Sequence, residues 1–157
     1  MAAAVSSAHG RSQSIDREST LRILEGQKFS VTHRVADLPR DVLVAAGIIP
    51  RRRPIDTVIA DPGHDYQRHP ASIDFSKAYS QLIFGAISPT YLLFCTREGG
   101  LTEAAHVRLI RRDGRSAKLI SHTIVWPEAR NLSQLRTRIR KASCEPLEIH
   151  HPSMVYF

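Results

Sequence analysis

The chain is poor in the residues that mark several classes of protein. Its 157 residues include two cysteines, Cys95 and Cys144, whose spacing fits neither a disulfide framework nor a C-x-x-C redox or zinc pair. No apolar run approaches the roughly 20 residues that cross a bilayer, and the N-terminus lacks the apolar core of a secretory signal. We therefore expect a soluble protein with free thiols and a cytoplasmic location. A mitochondrial location is the alternative, because the Ala/Ser-rich start carries no acid before Asp16.

Sequence motifs of nucleophilic and phosphate-binding enzymes are also missing. There is no G-x-S-x-G elbow, and the glycines, including the pair Gly99-Gly100, form no phosphate-binding loop. Cys144 follows Arg140 and Lys141, which would favour a thiolate, but no supporting motif accompanies it and an inert thiol is the preferred interpretation. The sequence therefore favours a protein without a catalytic centre or cofactor of its own.

What is present predicts one α+β domain over residues 15–157, after a disordered tail at residues 1–14. The predicted helices span residues 16–25, 38–46 and 127–142. Asp16 and Asp37 are the expected N-caps, and Pro127 is expected to open the third helix. Gly26 and Gly47 are expected to end the first two helices in the left-handed conformation.

Alternating and fully apolar runs predict the strands. Residues 81–126 read as a mainly antiparallel meander of four strands, with shorter strands expected at 29–34 and Ile55–Ala60. Asp113-Gly114 is predicted to be a two-residue hairpin turn that sets Arg112 opposite Arg115.

This predicted register divides the hairpin side chains between two faces. The expected core face carries Ala105, Val107 and Leu109 with Lys118, Ile120, His122, Ile124 and Trp126. The other face is expected to carry His106, Arg108, Ile110 and Arg112 with Arg115, Ala117, Leu119 and Ser121. A pairing of His106 with His122 is therefore not expected, although a slip of one residue in the register would exchange the faces.

Positive charge is concentrated in the last third of the chain. The formal net charge is +7, and residues 106–141 hold ten Lys and Arg against only Asp113 and Glu128. We expect a small binding or interaction module that engages an anionic partner, either a protein or a nucleic acid. The candidate anion-binding residues are Arg108, Arg112, Arg115, Arg136 and Arg140. A solvated basic surface on a structural or dimerising protein without a ligand is the alternative.

The segment "DPGHDYQRH" is a second candidate site. Its carboxylate and imidazole groups are suitable ligands for a divalent metal ion, and they belong to Asp61, His64, Asp65 and His69. With such an ion the protein would be a metal-assisted hydrolase. A simple turn with surface histidines is the preferred interpretation, because Asp61-Pro62-Gly63 already has the composition of a turn.

The C-terminal residues Met154 to Phe157 form an apolar end. We expect this segment to pack on the chain's own sheet. A homodimer through this segment or through a sheet edge is the alternative.

Overall fold

A meander of four long strands forms the centre of the molecule. The computed structural model describes residues 16–68, 74–99 and 103–141, and the backbone of residues 144–146. The strands are β1 (Ser30–Thr32), β2 (Ile59–Ala60), β3 (Ser80–Ile87), β4 (Tyr91–Glu98), β5 (Ala104–Asp113), β6 (Ser116–Val125) and β7 (Cys144–Pro146). They form one sheet in the order β1-β3-β4-β5-β6-β7, in which all neighbours are antiparallel, and β2 pairs with β3 in parallel. The predicted α+β fold with its antiparallel meander is confirmed.

Three helices pack on this sheet: α1 (Arg17–Gly26), α2 (Arg40–Ala45) and α3 (Leu132–Arg140). Asp16 caps α1 as predicted, since its carboxylate accepts a hydrogen bond from the Ser19 N–H at 2.7 Å. Gly47 follows α2 with a φ of 72°, also as predicted. Gly26, in contrast, ends α1 without a positive φ, and the next residue, Gln27, is extended.

Three other local predictions are wrong in detail. Asp37 does not cap α2, because it lies in a 3₁₀ turn and its carboxylate accepts a hydrogen bond from the Thr32 hydroxyl at 2.7 Å. The third helix begins five residues after Pro127, where the Asn131 side chain accepts from the Gln134 N–H at 2.9 Å. The strand expected at Ile55–Ala60 is a 3₁₀ turn followed by the two residues of β2.

Both faces of the sheet are covered by other elements, and a separate hydrophobic core lies on each face. The face toward α1 and α3 is called here the α1–α3 face, and the face toward α2 is called the α2 face. On the α1–α3 face the helices bury Leu24, Leu132, Leu135 and Ile139 against Leu93, Cys95, Val107, Leu109 and Ile120. On the α2 face the core includes Val42, Leu43, Val58, Leu92, Phe94 and Ile110. Strands that are apolar on both sides are typical of a sheet covered on both faces.

The β5–β6 hairpin departs from the predicted register in two ways. Gly114 and Arg115 form the turn, with Asp113 opposite Ser116, and Gly114 has a φ of 57°. The ladder also contains a β-bulge, because Leu109 and Ile110 pair with Ser121 and Leu119 and leave Ile120 as an extra residue.

The bulge changes which side chains share a face. Between the turn and the bulge, Ala117 and Leu119 stand opposite Arg112 and Ile110, on the predicted face. Beyond the bulge the alternation is reversed, so that His122 and Ile124 share a face with Arg108 and His106, and Ser121 shares the other with Leu109. The predicted placement of His122, Ile124 and Ser121 is therefore wrong.

The predicted tail at residues 1–14 and the apolar C-terminal segment lie outside the described residues.

Candidate functional site

A cluster of polar side chains lies on the α2 face beyond the bulge, where an apolar surface would be expected. It consists of Thr96, Glu98, His106, Arg108 and His122, and is called here the histidine–arginine cluster. The ladders bring its members together: Thr96 stands opposite His106, and Arg108 stands between Phe94 and His122. Three adjacent strands therefore build the cluster at the end of the sheet that is remote from the hairpin turn.

An ion pair between Arg108 and Glu98 is its most buried part. The Arg108 side chain is only 8% exposed, and its Nη1 lies 2.5 Å from Glu98 Oε1. The same nitrogen donates to the Thr96 hydroxyl at 3.0 Å, and the guanidinium lies 5.8 Å from the centre of the Phe94 ring. Burial opposes ionisation of Glu98, but the Arg108 guanidinium, with smaller contributions from His106 and Thr96, outweighs it and lowers the pKa of this carboxyl. Both groups are therefore charged at neutral pH.

His106 and His122 form a direct imidazole pair. His106 Nδ1 lies 3.0 Å from His122 Nε2, and His106 Nε2 lies 3.8 Å from Glu98 Oε2. Burial lowers the pKa of both rings, and the positive charge of Arg108 adds to this effect. The pKa of His122 falls to about 3. Both rings are therefore neutral at pH 7, and one donates its N–H to the other.

This pair contradicts the prediction from the sequence, which set the two histidines on opposite faces. The Ile120 bulge is the reason, since one extra residue reverses the alternation in the second half of β6. The single "His-x-Arg" of β5, His106 to Arg108, and the histidine of β6 are visible in the sequence, but whether they meet depends on the register.

The same end of the sheet carries a second polar network on the other side of β4. The Arg97 guanidinium binds Glu128 with two hydrogen bonds of 2.8 and 2.7 Å, and it also donates to the Gln81 side chain at 2.6 Å. The hydroxyl of the buried Tyr66 donates to Glu103. Burial of the phenol raises the pKa of Tyr66, and the nearby Glu103 carboxylate raises it further. These contacts tie residues 61–68 and the segment before α3 to the sheet, and they leave the Arg97 charge neutralised.

Most of the predicted anion-binding arginines are engaged within the chain. The Arg136 guanidinium donates to the Leu24 carbonyl at 3.0 Å, and Arg140 binds Glu25 at 3.1 Å, so that both hold α3 against the end of α1. Arg112 is half-buried and makes a long contact of 3.5 Å with the Ser88 carbonyl. Arg108 lies in the ion pair with Glu98. Of the five, Arg115 alone is exposed and has no partner among the described residues.

The structure adds two bases beside Arg115. Arg111 and Lys118 stand directly opposite each other in the ladder, between the turn and the bulge. Lys118 is exposed, and the Arg111 side chain is 57% exposed, with only a long contact of 3.6 Å to the exposed Asp113. We call Arg111, Arg115 and Lys118 the hairpin-tip bases. Sequence reasoning missed Arg111 and Lys118 because the predicted turn lay one residue too early.

The predicted metal ligands are not assembled in the described part of the chain. The Asp61 carboxylate accepts the Val35 N–H at 2.6 Å, and the Asp65 carboxylate binds Lys77 at 2.7 Å. His64 is exposed, while His69 lies outside the described residues. Among the residues that are described, no group of three or more His, Cys, Asp or Glu side chains could hold a metal ion.

The two thiols are placed differently. Cys95 is fully buried on the α1–α3 face, where desolvation raises the pKa of its thiol to about 12 and keeps it unreactive. Cys144 belongs to β7, whose side chains are outside the described set.

Comparison of the chain with protein-family models, with curated proteins and with solved structures finds no match. None of the helices in the described ranges combines the length and the apolar character that a membrane span requires. The function is therefore inferred from the geometry alone.

Proposed function

We propose that the protein is a binding module for an anionic partner, and that the tip of the β5–β6 hairpin is its contact surface. The observation that carries this proposal is the direct opposition of Arg111 and Lys118 across the ladder. Residues directly opposite in an antiparallel pair have Cβ atoms about 4.5–5.5 Å apart, and like charges in such a pair are destabilising. An anion between the two side chains would remove this repulsion.

The distribution of acids supports the same surface. Glu25, Glu98 and Glu128 each neutralise an arginine elsewhere in the fold. Between residues 111 and 118 the only acid is Asp113, against the three hairpin-tip bases and Arg112. The tip therefore carries a local excess of three positive charges, and its three hairpin-tip bases are exposed.

The chemistry of the tip fits an extended polyanion. A guanidinium binds phosphate or carboxylate through two parallel N–H groups, whereas an ammonium acts as a point charge. Two arginines and one lysine on a narrow hairpin would contact successive charges of a nucleic-acid backbone or of an acidic protein surface. Binding of this kind releases counterions and weakens with salt, with a slope of about −0.9 per phosphate neutralised on duplex DNA.

The test is a titration of the untagged protein at two salt concentrations. The probes are fluorescent duplex DNA of mixed sequence, single-stranded DNA and heparin. An acidic peptide represents a protein partner. The double variant Arg115→Glu/Lys118→Glu should weaken binding at least tenfold. The matched control Arg130→Glu/Lys141→Glu makes the same change of charge at two exposed bases of the α3 region, and it should weaken binding much less.

The outcomes separate the alternatives. A preference for either nucleic acid over heparin and the acidic peptide would make nucleic acid the partner class, and the reverse preference would favour a protein. Equal losses of affinity in the two double variants would show that binding depends only on the net charge of the protein. The hairpin tip would then not be the contact surface. Arg108→Glu is not a suitable variant, because it would place two carboxylates in the buried cluster.

A further inference from the structure

The imidazole pair can accept only a limited number of protons without breaking. Its rings meet through His106 Nδ1 and His122 Nε2 at 3.0 Å, and one of these nitrogens must present a lone pair to the N–H of the other. When both rings are protonated, two N–H groups point at each other and two cations adjoin Arg108. The contact therefore requires that at least one ring stays neutral.

Among the described side chains, the groups around the pair compensate added positive charge only in part. Glu98 of β4 is the only carboxylate of a described side chain within 4.0 Å of either ring, and its other oxygen already binds Arg108. The remaining β4 neighbour is the Thr96 hydroxyl, which is uncharged and donates to Glu98 at 3.0 Å. On the far side, β7 places Glu145 at the register position opposite Ile124, next to the pair along β6.

The bulge separates this region from the rest of the hairpin. On one side of Ile120 the ladder joins Arg108 to His122 and Ala105 to Val125, and on the other side it runs to the turn. The short strand β7 pairs only with Thr123–Val125, so it depends on the position of this part of β6.

We propose that the histidine pair is an acid-sensitive device that opens one end of the sheet. As the pH falls, protonation of both rings separates residues 105–108 of β5 from residues 122–125 of β6 and releases β7, while the half of the hairpin between bulge and turn stays paired. The opened segment would expose the edge of β5 as a free strand edge, which is a surface for pairing with another chain.

The direction of the pH dependence follows from the shifted pKa values. The pKa of each ring is lower in the folded chain than its ordinary value of 6.5, so the unfolded or opened state binds more protons below that pH. The stabilisation is complete above pH 6.5 and is lost as the pH falls below it. The Glu98 pKa is also lowered, but its contribution is lost only below its ordinary value of 4.5. Between these two values the cluster responds through the histidines.

The experiment is hydrogen exchange of the full chain, followed by mass spectrometry from pH 7.5 to pH 4.5 and corrected for the intrinsic exchange rate. In the wild type, protection of residues 105–108 and 121–126 should fall by about tenfold per pH unit for each proton taken up below pH 6.5. Protection of residues 111–119 should stay constant over the same range. The single tryptophan, Trp126, directly follows β6, and its fluorescence should report the same transition.

Variants identify the groups whose protonation causes the loss of protection. His122→Gln keeps a polar group near the Nε2 position but cannot take up the proton, so the loss of protection should become shallower. His64→Gln removes an exposed histidine and should keep the wild-type slope. Constant protection in the wild type, an unchanged slope in His122→Gln, or a simultaneous loss over the whole sheet would each overturn the proposal. Disappearance of the slope in Glu145→Gln would also overturn it, because the carboxylate of β7 would then be the group that titrates.

Discussion

The two halves of the β5–β6 hairpin differ in where they place positively charged side chains. Between the turn and the Ile120 bulge, Arg111, Arg115 and Lys118 are exposed, and the one acidic partner among the described residues is the exposed Asp113, 3.6 Å from Arg111. Beyond the bulge, Arg108 is almost fully buried and binds both Glu98 and Thr96. The same hairpin therefore carries bases of two kinds, and a count of charges cannot distinguish them.

Burial accounts for the difference. A charged side chain in water needs no partner, so the hairpin-tip bases can remain exposed at little cost. A buried guanidinium loses several kcal/mol of hydration free energy, and only a well-placed carboxylate with further hydrogen bonds offsets this loss. Arg108 therefore stabilises the fold, whereas Arg115 and Lys118 keep their charges in solvent.

Arg108→Met should have the largest effect on stability. It would leave Glu98 buried without its cation, and breaking a buried pair from one side costs about 3–5 kcal/mol. Urea unfolding, followed by circular dichroism at pH 7, measures the change in the free energy of unfolding. Arg115→Met, the matched change at the hairpin tip, should leave the unfolding midpoint close to that of the wild type.

The double variant Arg108→Met/Glu98→Leu sharpens this comparison. It removes both buried charges and leaves the neutral Thr96 hydroxyl without its two partners, so it should recover much of the stability that the single variant loses. If the double variant is as unstable as Arg108→Met alone, the ion pair is not the reason for the loss. The packing of the Arg108 side chain on Phe94 would then be the dominant contribution.

Thr96→Val should have an intermediate effect. The Thr96 hydroxyl accepts from Arg108 at 3.0 Å and donates to Glu98 at 3.0 Å, and it is buried with the pair. Valine has the same shape but leaves both charged groups with one hydrogen bond fewer, which costs about 1–3 kcal/mol. Thr96→Ser keeps the hydroxyl and should lose less stability in the same urea experiment. A greater loss in the serine variant would show that the methyl group matters more than the hydrogen bonds.

Much of the fold could be predicted because its signals are local. The apolar runs at residues 81–87 and 90–96 identify β3 and β4, and Asp16 and Gly47 mark helix ends through the backbone groups beside them. Each of these predictions depends on a few neighbouring residues. The α+β class then follows from the order of the elements.

The histidine–arginine cluster could not be predicted, because one extra residue in β6 decides which side chains share its face. No glycine or proline lies between Ser116 and Val125 to indicate the bulge at Ile120, yet this bulge moves His122 to the face of Arg108. The internal partners of Arg136 and Arg140 lie at Leu24 and Glu25, more than a hundred residues away in sequence. Contacts of this range are set by how α1 and α3 pack, and the charge pattern of α3 does not reveal them.

Lys118→Glu should have a smaller effect on stability than the variants of the buried cluster, of opposite sign, and should separate stability from binding. The substitution converts the like-charged pair with Arg111 into an opposite-charged one, which is worth about 0.2–1 kcal/mol in a cross-strand position. The urea midpoint should therefore rise slightly at low salt, and the gain should vanish in 1 M salt, where the Debye length is about 3 Å. Affinity for the polyanion should fall in the same variant.

Lys118→Gln is the control, because it removes the repulsion without creating an attraction and should lie between the wild type and Lys118→Glu in stability. A loss of stability in Lys118→Glu at low salt would contradict the register that sets Lys118 opposite Arg111. A rise in stability together with a loss of affinity would have a different meaning. It would show that the hairpin tip keeps an unfavourable pair of charges in the free protein, and that binding of an anion is what relieves it.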